Sequence, residues 1–178
     1  MLRNTFAAAL VAISAVASDV TYTSIGQFSV TSPAFLNIEQ YPDSDPFLLT
    51  TAFGPFSAGH LYVTPNVQEA IVAKDLSTLT PVQLDTPNFT WPNLAKPVPQ
   101  DVFNQRVIVV PDGFIPPGKT NGGVYLVVMD PSDVTKTVQT ITMTHNLNGY
   151  YYHMGFWLDL NGDGRKDFLT AKCNSSPG

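Results

Sequence analysis

Between residues 159 and 167 the chain reads Asp159-Leu160-Asn161-Gly162-Asp163-Gly164-Arg165-Lys166-Asp167, a D-x-N-x-D-G-x-x-D pattern rich in oxygen ligands. Asp159, Asn161 and Asp163 occupy alternate positions, so a tightly curved backbone can aim three side-chain oxygens at one point. Gly162 and Gly164 permit the positive φ angles that such curvature demands. The main-chain carbonyl of Arg165 and the carboxylate of Asp167 close the set. Three carboxylates, one amide and one carbonyl approach the roughly six to eight oxygens that Ca²⁺ takes, with water or a bidentate Asp supplying the rest. Mg²⁺ suits the pattern less well, because it keeps its waters and wants a stricter octahedron. Solvated turns also use Asp, Asn and Gly. Four oxygen-bearing side chains in register with two glycines exceed what a turn needs. The predicted chemistry is calcium binding by Asp159, Asn161, Asp163, Arg165 and Asp167.

The flanking elements decide what kind of loop this is. An EF-hand requires a bidentate Glu at its twelfth position, which here is Thr170, and a helix on each side. The flanks instead read Tyr150-Tyr151-Tyr152-His153-Met154-Gly155-Phe156-Trp157-Leu158 and Phe168-Leu169-Thr170. Aromatic and β-branched runs favour strands, so the loop is expected to join two of them.

Other chemistry is thin. The chain has no G-x-S-x-G elbow, no H-E-x-x-H pair and no P-loop. The three histidines, His60, His145 and His153, lack metal-pair spacing on a helix and read as structural. Cys173 has no nucleophile context and reads as half of a disulfide whose partner lies elsewhere. Calcium would hold the loop's carboxylates ionised, the wrong state for a general acid. The expectation is a protein that is not an enzyme.

The N-terminus reads as a secretory signal over residues 1–18: Arg3, then an apolar stretch from Phe6 to Val16, then small residues at Ala15, Ala17 and Ser18. The stretch is too short to span a bilayer, so a secreted, extracellular location is expected. In that setting Asn88 (Asn88-Phe89-Thr90) and Asn174 (Asn174-Ser175-Ser176) are candidate glycosylation sites on exposed loops. Without Arg3 the chain carries 8 basic against 14 acidic residues, a formal charge of −6. That balance argues against nucleic acid or an anionic membrane as partner. Fifteen Pro and twelve Gly divide it into short pieces, which favours strands and turns. Only Glu39 and Glu69 of the 14 acids are Glu, and the Asp bias points the same way.

A weak period runs through residues 19–178. Strand-like runs begin at Phe47 (Phe47-Leu48-Leu49-Thr50-Thr51), Val107 (Val107-Ile108-Val109-Val110) and Phe168 (Phe168-Leu169-Thr170-Ala171), 60 and 61 residues apart. The first two are followed by matching second strands, Gly59-His60-Leu61-Tyr62-Val63 and Gly122-Gly123-Val124-Tyr125-Leu126. Between them, Leu84 to Gln100 holds Pro87, Pro92, Pro97, Pro99 and Trp91, an extended connection in which Trp91 is expected to be buried. At least one of Tyr150, Tyr151 and Tyr152 is likewise expected in the core, since alternate strand residues face opposite sides.

Repeating units of several short strands suggest propeller blades. Asp159-x-Asn161-Gly162-Asp163-Gly164-x-x-Asp167 followed by Phe168-Leu169 resembles the FG-GAP/VCBS repeat of integrin-α-like β-propellers, and Phe53-Gly54-Pro55-Phe56 resembles its Phe-Gly element. The resemblance is specific over about twenty residues, and only the third unit carries the full loop. It implies an all-β fold, a partial β-propeller with units starting near 47, 107 and 168, truncated relative to a closed ring. It also implies a Ca²⁺ ligand set at the five loop positions. The function expected is a secreted calcium-binding module in extracellular binding, adhesion or matrix assembly, including a mineralised matrix. Its partner would be an extracellular protein, carbohydrate or matrix ligand. The alternative is the scaffold portion of a secreted hydrolase or lyase whose catalytic residues lie beyond residue 178.

Overall fold

A computed structural model describes residues 23–113, 121–144 and 149–174. Residues 1–18, expected to be a secretory signal, His145 and the end of the second sequon, Ser175-Ser176, lie outside the described residues. The fold is all-β and antiparallel, with three sheets among the described residues. The first runs β1 (Pro33–Glu39), β2 (Phe47–Gly54), β3 (Ser57–Thr64) and β4 (Val82–Gln83), neighbours in chain order. The second repeats that order with β5 (Lys96–Pro97), β6 (Val107–Pro111), β7 (Val124–Met129) and β8 (Thr137–Thr142). The third is a hairpin of β9 (Tyr150–Leu158) and β10 (Asp167–Asn174). The described sheets do not close into a propeller ring.

Hydrophobic alternation explains how the layers stack. In β6, Ile108 and Val110 point to one face, where they meet Phe47 and Leu49 of β2 and Leu61 and Val63 of β3. Val107 and Val109 point to the other, with Leu126 and Val128 of β7, and meet Tyr152, Trp157 and Phe168 of the hairpin. Every residue of β6 and β7 is buried, as expected of a sheet covered on both sides. At roughly 1.5–3 kcal/mol per fully buried aliphatic side chain, this central sheet is the main source of cohesion. The three apolar runs beginning at Phe47, Val107 and Phe168 each fall in the second strand of their own sheet.

The outer face of the first sheet is covered differently. A short helix α1 (Val67–Ala73) and a 3-10 turn (Leu76–Thr78) place Val67, Ala70 and Leu79 on Leu48. Trp91 is buried, with its ring 4.7 Å from Phe53 and its Nε1–H donating to the Gly54 carbonyl at 3.0 Å. Of the three tyrosines, Tyr152 is the one in the core.

Candidate metal centre

β9 and β10 pair from Leu158↔Asp167 to Tyr150↔Asn174, so residues 159–166 form the hairpin connection between two strands. Gly162 and Gly164 adopt φ of 76° and 84°, with nothing within 4 Å of an added Cβ at either. Their role is conformational rather than steric.

The loop's side chains fold onto its own backbone. One Asp159 carboxylate oxygen accepts from the N–H groups of Gly162 (2.7 Å) and Asp163 (3.1 Å), and the other accepts from Gly164 (2.8 Å). Asn161 Oδ1 accepts from Asp163 N–H at 3.0 Å, and its Nδ2 donates to Asp163 Oδ2 at 3.1 Å. Asp163 Oδ1 accepts from Arg165 N–H at 2.9 Å, and Asp167 Oδ2 from Leu160 N–H at 3.3 Å. Asp159, Asn161 and Asp163 thus share one hydrogen-bond web, Asp167 holds the Leu160 N–H beside it, and every residue from 159 to 167 is exposed. Among the described residues no three His, Cys, Asp or Glu side chains form a metal-type cluster. That grouping leaves out the Asn161 amide and the Arg165 carbonyl, the other two donors of the set. Lys166 ties the loop to the connection before β6, its Nζ 2.8 Å from Asp101 Oδ2. Asp101 is held below the usual carboxylate range, chiefly by that hydrogen bond.

The remaining candidates are dispersed. His60 lies beside Gln83, 3.3 Å from its Nε2, and Tyr62 donates to the same Gln83 at 3.0 Å. His153 lies on β9 in a shallow groove with Phe156 and Leu169. Cys173 is a free, half-buried thiol opposite Tyr151, and its hydrogen bond raises the Tyr151 phenol pKa. Asn88 is exposed beside the buried Phe89, and Thr90 Oγ1 donates to the Asn121 carbonyl at 2.7 Å. Asn174 is exposed at the end of β10.

Buried polar residues went unread in the sequence, two of them at one junction. Asp112 and Asn93 both lie inside the fold, Asp112 accepting main-chain N–H bonds and Asn93 donating to main-chain carbonyls. An Asp-Gly pair or a lone Asn reads as a turn in sequence, and nothing local marks these as core. Compared with protein families, curated proteins and solved structures, the chain matches none.

Proposed function

We propose that this chain is a secreted, calcium-binding β-propeller module acting in extracellular binding, adhesion or matrix assembly, without catalysis of its own. One observation carries the reading: the oxygen-rich loop occupies the connection between the first and second strands of its sheet. The donor set fits a hard cation, being all oxygen on a backbone curved at Gly162 and Gly164. The carboxylates of Asp159, Asp163 and Asp167, the Asn161 amide and the Arg165 carbonyl would hold the ion. Its role would be to neutralise like charges that otherwise repel across the hairpin end.

Two four-stranded sheets of the same strand order, followed by a hairpin stacked on the second, support the propeller-blade reading. The secretory reading rests on residues 1–18. Extracellular calcium is millimolar, so a site with a dissociation constant of about 10⁻⁴–10⁻³ M stays occupied. Tenfold excess over that constant stabilises the fold by about 1.4 kcal/mol. For a chain of this size the melting temperature should rise by about 3–6 °C between chelator and calcium. Asp163→Ala should keep the chelated melting temperature and lose the rise. A wild-type protein whose melting ignores calcium would remove the proposal.

A further inference from the structure

We infer that Asn161, with Gly162 after it, is a site of spontaneous deamidation, at which water converts the side-chain amide to aspartate or isoaspartate inside the β9–β10 loop. The modification is covalent, needs no enzyme, and stands whether or not the loop binds an ion. The reaction is a ring closure. The Gly162 main-chain nitrogen attacks Asn161 Cγ, a C–N bond forms, and the Cγ–Nδ2 bond breaks. Nδ2 leaves as ammonia, and the proton that Gly162 gives up reaches it through water. A second water then opens the succinimide on one side of its nitrogen or the other. The sum consumes one water and releases one ammonia, with no change of oxidation state.

Ring closure needs a following residue without a side chain, which glycine supplies, and a nitrogen free to leave its place. The fold sets the second condition, and the chain holds its own comparison. Asn-Gly occurs at Asn121-Gly122, Asn148-Gly149 and Asn161-Gly162, and Asn148 lies outside the described residues. Asn121 and Asn161 are both exposed. Gly122 is buried, and its N–H donates to the Tyr150 carbonyl at 2.8 Å. A Cβ there would lie 2.1 Å from the Asp112 carbonyl oxygen, and the Asn121 carbonyl is held by Thr90 Oγ1 at 2.7 Å. Closing the ring at Asn121 would therefore pull the chain away from β9. Gly162 differs on each count. Nothing lies within 4 Å of an added Cβ, and its N–H donates to the Asp159 carboxylate at 2.7 Å, an exposed group of the same loop. Water can replace that partner without disturbing a sheet.

The product changes the loop's electrostatics. Asn161 Nδ2 donates to Asp163 Oδ2 at 3.1 Å, and a carboxylate has no proton to give in its place. Residue 161 then joins Asp159, Asp163 and Asp167 as an acidic group, and like charges at this range repel. Deamidation thus loosens the web that holds the Gly162, Asp163 and Gly164 N–H groups.

The test is timed incubation of the whole chain at mildly alkaline pH with chelator present, then proteolysis and mass spectrometry of the peptides carrying Asn121 and Asn161. Asn161 should convert about tenfold faster than Asn121, or more, in the folded protein. The two rates should converge in urea, where the same dipeptide is free in both places. Gly162→Ala should slow conversion at Asn161 and leave Asn121 unchanged. Similar rates at the two sites in the folded protein would overturn the inference. So would a tenfold ratio that persists in urea, or undiminished conversion of Asn161 in the Gly162→Ala protein.

Discussion

Asp112 shows how much a single buried carboxylate can hold. It is 1 % exposed, and its two oxygens accept from Thr90 N–H at 2.9 Å and Trp91 N–H at 2.7 Å. Its main-chain N–H donates to Gly123 and its carbonyl accepts from Tyr152, so one residue joins the proline-rich connection, β7 and β9. Asn93 completes the junction, its Nδ2 donating to the carbonyls of Gly113 (2.7 Å) and Tyr152 (2.8 Å). Asp112→Ala strands the buried Trp91 N–H, at about 1–3 kcal/mol, and the part-buried Thr90 N–H at less. The urea midpoint should fall accordingly, with Asp112→Asn losing less because its amide oxygen still accepts. Equal losses in the two variants would mean that the carboxylate is not what secures the junction. At the surface, Asp133 offers a pH test. Hydrogen bonds from the Thr135 side chain and backbone, then from Lys136, lower its carboxyl from 3.8 to about 2. A lowered folded value means the turn's contribution is complete above pH 3.8 and lost as pH falls through about 2. Carbon-detected titration of Asp133 should show that midpoint, and Thr135→Val should move it back toward 3.8.

At the scale of elements, glycines and the bulge in the β9–β10 hairpin set how the hairpin meets the central sheet. A Cβ on Gly122 would lie 2.1 Å from the Asp112 carbonyl oxygen and 2.9 Å from the Tyr151 Cα. Both obstacles are backbone, so Gly122→Ala must part the chain at residue 122 from Asp112 as well as from β9, at about 3 kcal/mol. Gly162→Ala, with open space and only an unfavourable φ, should cost about 1 kcal/mol. Thermal melts of the two variants rank them, and a Gly122→Ala protein as stable as Gly162→Ala would show that Asp112 and β9 are both free to shift. The bulge accounts for part of what sequence alone could not say. Strand positions were legible, because Phe47, Val107 and Phe168 all lie in second strands and a loop of Asp and Gly was expected to join two strands. Which face of β9 is buried was not. Simple alternation from Tyr152 would bury Met154 and Phe156, but register slips between Thr170 and Lys172, so Trp157 turns inward and Phe156 is left exposed. The helix α1 was also missed: its seven residues carry too short a periodic pattern to stand out, and its N-cap Asn66 makes no side-chain cap bond.

Across the whole molecule, cohesion is graded along the stack of sheets. The central sheet is buried on both faces, whereas the β9–β10 hairpin buries one face and leaves Phe156, Leu158 and Leu169 exposed. Two ion pairs link the first-to-second strand connections of the three sheets at one end: Asp43 with Arg106, and Asp101 with Lys166. The second is exposed and screened by solvent, so it couples the hairpin loop only weakly to the rest. An ion held at residues 159–167 would therefore act chiefly on the element that carries it. Hydrogen exchange in calcium and in chelator should differ most at the amides of β9 and β10. Protection in β2, β3, β6 and β7 should change little, because local opening follows the contacts of each layer. Gly162, Asp163 and Gly164 should respond first, their N–H groups being bonded to Asp159 itself. Equal loss of protection in all three sheets on chelation would mean that the hairpin and the central sheet open as one unit, and that the ion's influence is not local.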